Sequence, residues 1–88
     1  MYNPTIVSKC LTKDEIIEIP KGIEKYSVHF YIEAGEVKIY YGSLENNPPL
    51  FLYNGAKWNK RFFNSGVSKL IIQGLAEFRL WVIIEHIQ

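Results

Sequence analysis

Ser27-Val28-His29-Phe30-Tyr31-Ile32, then Glu33-Ala34-Gly35-Glu36, then Val37-Lys38-Ile39-Tyr40-Tyr41, is the stretch that decides the fold. Side chains alternate faces along a strand, so an apolar period of two marks a strand with one buried side. Val28, Phe30 and Ile32 fall on one face and His29 on the other. Val37 and Ile39 repeat the alternation after the link. That link carries a glycine and is of hairpin length. The two runs are therefore expected to pair as a β-hairpin.

Working outward, turn residues divide the rest into short extended runs. Residues 6–11 form a first strand, and 15–19 a second that Pro20 and Gly22 stop. Residues 50–53 are closed by Asn54-Gly55, which favours a type I′ turn because both residues tolerate positive φ. Residues 56–63 resume the chain, Asn64-Ser65-Gly66 turn it, and 67–73 and 78–84 complete the set, with a turn expected at 74–76. The segment 42–49 reads as a loop, since Pro48 and Pro49 remove adjacent backbone donors. Thr12-x-x-Glu15 matches a helix capping box, but Pro20 follows too soon for a helix, so a turn into a strand is expected. The expected fold class is all-β, a compact antiparallel β-sandwich or barrel of about seven or eight short strands.

At 88 residues the chain is expected to form a single β-domain over residues 1–88. Cys10 is the one cysteine, which excludes an intrachain disulfide. His29 and His86 do not fall in the Cys/His spacing of a structural zinc site. Hydrophobic residues are 48% of the chain and aromatics 15%, more apolar surface than a domain this small can hide. Burial between subunits yields the same ~25 cal/mol per Å² as burial within one, so a homo-oligomer is expected. Ten basic against nine acidic residues leave a net charge of +1, which argues against nucleic acid as a partner. No apolar run reaches the ~18 residues of a membrane span, and the first ten residues do not have the pattern of a signal peptide. A lone cysteine fits a reducing compartment.

The apolar excess shows in the strands themselves. In the last run Phe78, Leu80, Val82 and Ile84 point one way, while Arg79, Trp81, Ile83 and Glu85 point the other. A half-exposed strand should have one polar face, yet Trp81 and Ile83 occupy the second. Leu70-Ile71-Ile72, Leu50-Phe51-Leu52-Tyr53, Tyr40-Tyr41 and Phe62-Phe63 also place large side chains on both faces. Either these are central strands or irregular positions covered by loops, or a second apolar face packs on a neighbouring subunit, and the recurrence of the excess in several strands favours the second reading. Tyr and Trp commonly dominate interface energetics. The candidate interface residues are Tyr40, Tyr41, Trp58, Phe62, Phe63, Trp81 and Ile83.

Catalysis needs a nucleophile or an acid/base pair held together, and no catalytic residue is expected. The chain has no Gly-x-Ser-x-Gly elbow and no phosphate-binding glycine loop. His29 is expected on the polar side of its strand, and Cys10 as a small buried side chain with Lys9 on the opposite face. Asp14, Glu15 and Glu18 lack the spacing of a calcium loop, so no metal and no cofactor is expected. Lys57, Lys60 and Arg61 interleave with Trp58, Phe62 and Phe63, which reads first as a strand edge guarded by cations. As an alternative function, Tyr40, Trp58 or Trp81 would stack on sugar rings in a carbohydrate-binding module.

Ile19-Pro20-Lys21-Gly22, then Tyr26-Ser27-Val28-His29-Phe30, then Val37-Lys38-Ile39, resembles small virion proteins of tailed bacteriophages. In these an Ile-Pro-x-Gly turn precedes a strand that opens a compact β-sandwich. Phe78-Arg79-Leu80-Trp81-Val82-Ile83-Ile84 is similar to their closing strand, so the likeness spans roughly residues 15–85. It implies a non-enzymatic capsid-decorating or head-fibre-associated subunit, a homo-oligomer with a trimer favoured. Such a subunit would contact other virion proteins and be assembled in the host cytoplasm. No functional residue carries over, because the pattern contains no catalytic motif.

Overall fold

β-Branched and aromatic residues at alternate positions hold the backbone extended and give each strand one apolar side. In the computed structural model, which describes residues 4–41, 48–63 and 69–87, these runs are strands. They are β1 (Thr5–Leu11), β2 (Glu15–Glu18), β3 (Lys25–Ala34), β4 (Glu36–Tyr41), β5 (Leu50–Tyr53), β6 (Lys57–Phe63), β7 (Lys69–Gly74) and β8 (Arg79–His86). The turn expected at Asn64-Ser65-Gly66, most of the loop 42–49 and the start of the run 67–73 lie outside the described residues. Residues 12–14 form the turn into β2 that the early proline implies.

The strands form two four-stranded antiparallel sheets, in the orders β1-β8-β3-β6 (sheet A) and β2-β7-β4-β5 (sheet B). β1 and β2, β3 and β4, β5 and β6, and β7 and β8 each split between the two sheets. This interlocked order is that of a jelly roll. It corrects the expected hairpin, because β3 and β4 do not pair. Alternation is the same whether a strand pairs with its sequence neighbour or crosses to the other layer. Crossing lets Val28, Phe30 and Ile32 face Val37 and Ile39 through the core, while β8 and β6 pair with the two edges of β3. Asn54-Gly55 likewise joins strands of different sheets, although Ala56 N–H still closes a turn onto the Tyr53 carbonyl at 2.8 Å.

The four crossings lie side by side at one end of the sandwich. Asp14 in the β1–β2 link accepts a hydrogen bond at Oδ1 from Gly74 N–H, 2.8 Å away at the end of β7. Leu75 N–H, just after β7, donates to the Glu36 carbonyl at 2.9 Å. Gly55 N–H donates to the Ile32 carbonyl at 2.8 Å, and Ile32 N–H to the Ala56 carbonyl at 3.0 Å. Backbone groups that leave the ladders at these corners thus find partners in the next corner. Asp14→Ala should therefore cost about 1 kcal/mol, seen as a lower urea midpoint at unchanged slope.

Between the sheets lies one apolar core, in which Val28, Ile32, Val37, Ile39, Leu80, Val82 and Ile84 are fully buried. Each contributes about 1.5–3 kcal/mol by leaving water. On the β6 side the gap between layers is filled by rings. Tyr26 stacks on Phe62 at 5.2 Å and Phe30 on Trp58 at 5.4 Å, and Tyr41 from sheet B reaches both Trp58 (5.6 Å) and Phe62 (6.1 Å). On the β1 side the mouth is spanned by a Lys9–Glu15 ion pair at 2.9 Å.

Candidate interaction surfaces

Antiparallel pairing sets the side chains on the outside of sheet A into rows. Cys10, Trp81, Tyr31 and Lys57 lie across the sheet in one row, Ser8, Ile83, His29 and Asn59 in the next, and Ser27, Glu85 and Arg61 in a third. The first two rows put Trp81, Tyr31 and Ile83 together, each well exposed. Trp81, at 40% exposure, is partly shielded by the Arg79 guanidinium 5.7 Å from its ring, which Glu33 holds through Nε at 2.7 Å. An exposed pair of this kind fixes orientation more than it stabilises. Cys10 sits half-buried in this outer row rather than in the core.

The third row is polar. His29 Nε2 lies 3.2 Å from Ser27 Oγ and 3.3 Å from Glu85 Oε1. Serine chemistry needs the imidazole to meet the serine with one ring nitrogen and the acid with the other. Here both groups meet the same nitrogen, so the three side chains tie β3 to β8 and do not form a triad. Among the described residues no three His, Cys, Asp or Glu side chains gather as metal ligands.

Sheet B also shows an apolar exterior. Ile16, Ile71 and Tyr40 lie in register across β2, β7 and β4, and Gln73, Lys38 and Phe51 form the adjoining row. Ile16 is 57% exposed, and Phe51 and Tyr53 are open on β5. Lys38 lays its chain over this face, with Nζ 4.9 Å from the Tyr40 ring centroid and 5.9 Å from that of Phe51. A lysine stem can shield apolar surface while its charge stays in water.

The seven candidate interface residues therefore separate. Trp81 and Ile83 stand on the outside of sheet A, Tyr40 is half-buried on the outside of sheet B, and Phe63 is exposed at the end of β6. Tyr41 and Trp58 turn inward and are half-buried among the rings. Phe62 is a core residue at 4% exposure and is not accessible to a neighbour. The parity of β6 explains this: Trp58 and Phe62 are an even number of residues apart and share one side. Ile16 and Tyr31 were missed. Ile16 carries the signal of consecutive isoleucines in one strand, whereas Tyr31 differs in no local way from an ordinary polar-face tyrosine.

The chain matches no family model, no characterised protein and no solved structure with which it was compared.

Proposed function

We propose that this chain is a non-enzymatic structural subunit of a bacteriophage virion, one that self-associates and decorates the capsid or joins a head fibre. The observation that carries this is the cluster of Trp81, Ile83 and Tyr31, exposed side by side on the outside of sheet A. A flat apolar sheet face suits a protein surface, because packing it against another copy removes the area from water without any pocket. The jelly roll recurs in viral capsid proteins, but also in lectins, so the fold supports the reading by analogy only. Light scattering at tens of micromolar should give a multiple of the 10.3 kDa chain mass, with a trimer as the expected multiple. Mass spectrometry of purified particles from the source that encodes the chain should find it in stoichiometric copies, and its absence there overturns the reading.

One observation favours carbohydrate binding as a second reading. Tyr31 and Trp81 adjoin His29 and Asn59, so rings that could stack on a sugar lie beside groups that could bond its hydroxyls. A glycan array is the direct test. Signal lost in Trp81→Ala would support this reading, and a blank array at high protein concentration would end it.

A further inference from the structure

A strand at a sheet edge presents a row of N–H and C=O groups that no ladder satisfies. Sheet A ends in β1 and β6, and sheet B in β2 and β5. Three of these edges are poor templates. β1 is interrupted by a register shift between Thr5 and Val7, and Lys9 ties it to β2. β2 and β5 are four residues each. β6 is different: it runs for seven residues and pairs with β3 in unbroken register from Phe63 to Lys57. Among the described residues its other edge pairs with no strand.

The charge on β6 is equally one-sided. It carries Lys57, Lys60 and Arg61 and no acid. Among the described residues none of the three forms an ion pair. The two lysines lie against rings instead, Lys57 Nζ at 5.6 Å from the Tyr31 centroid and Lys60 Nζ at 5.4 Å from that of Tyr41. Glu85, on the same outer face as Arg61, is two strands away on β8 and is held by His29. Two β6 edges brought together would set cation against cation, which is destabilising. The edge is thus closed to its own copy by charge and open by geometry to a strand of opposite sign.

We infer that β6 accepts an extended acidic segment of a partner polypeptide as an added strand of sheet A. Backbone groups of the segment complete the ladder, and its carboxylates, all on one face, meet Lys57 and Arg61 on the outer face of sheet A. Lys57 and Arg61 are four residues apart, roughly 13 Å along a strand, so the partner's acids recur at alternate positions. This goes beyond the self-association proposed above, since it uses the open backbone edge of β6 rather than the outer face of sheet A, which Lys57 borders beside Tyr31.

The test uses the full chain and a fluorescent seven-residue peptide of alternating Glu and Val, followed by anisotropy. The expected result is saturable binding that falls at least tenfold when alternate backbone nitrogens of the peptide are methylated. A Lys57→Glu/Arg61→Glu variant, shown by circular dichroism to remain folded, should lose the acidic peptide and gain its Lys-Val counterpart. Absence of binding overturns the inference. So does binding indifferent to methylation, which would be charge attraction without strand addition. So does a wild-type oligomer that Arg61→Glu alone dissociates, which would mean a second copy covers the edge. A monomeric chain that still binds the peptide would defeat the oligomer reading alone, and an intact oligomer that does not bind it would defeat this inference alone.

Discussion

Gly35→Ala should lower the stability of the chain by on the order of 3 kcal/mol, near the top of the ordinary range for a point mutation. Gly35 is the single residue between β3 and β4, with φ of 88°, a conformation that side chains strain. An added Cβ would also run into the Glu77 carbonyl oxygen and the Phe78 backbone in the neighbouring crossing. Neither obstacle is the tip of a flexible side chain, so the two crossings would have to separate. Gly55 provides the control: its φ is 85°, but a Cβ there meets no atom within 4 Å. Gly55→Ala should cost only the conformational part, about 1 kcal/mol. Urea denaturation of the two variants reads the difference directly, and equal midpoints would show that the crossings are not packed as described. Against a total stability of roughly 4–13 kcal/mol for a domain of this size, Gly35→Ala is a severe change.

Leu80→Asp should prevent folding, whereas Trp81→Asp, one residue further along, should give a folded and soluble chain. Leu80 is 0% exposed between the sheets, and a carboxylate there has no partner, which costs several kcal/mol. Trp81 points to the outside of sheet A, where a charge stays hydrated. Under the proposed function Trp81→Asp also abolishes self-association, so its light-scattering mass should fall to that of one chain while its far-UV circular dichroism is unchanged. Unfolding of Trp81→Asp would contradict the placement of this side chain. A folded variant of unchanged mass would move the contact elsewhere.

The strands were legible because period-two alternation is local: each residue's face follows from its neighbours. For β8 the same parity separates Leu80, Val82 and Ile84 from Trp81 and Ile83, and the outer apolar patch could be read from it. Pairing was not legible. Val28, Phe30 and Ile32 alternate identically in a hairpin and in a crossing, and the choice is made by β6 and β8, which lie far along the chain and take both edges of β3. The fate of Phe62 and Phe63 shows the same limit at the candidate site. Alternation places them on opposite sides of β6, but only Tyr26 and Tyr41, brought in by β3 and β4, make the Phe62 side the inner one. The Ser27–His29–Glu85 contact was hidden for the same reason, since it joins two strands far apart in sequence.

The place of β8 between β1 and β3 has a consequence for how the molecule is made. β8 follows the other seven strands along the chain and so leaves the ribosome after them. Until it does, β1 lacks its sheet partner and β3 has only β6 beside it. Sheet A must therefore wait for its innermost piece, and contacts this distant in sequence form on the slow millisecond-to-second scale of all-β folding. During that interval the edges of β1 and β3 that β8 will occupy are unpaired, and unpaired strand edges of this kind are where a partly folded chain is most prone to aggregate.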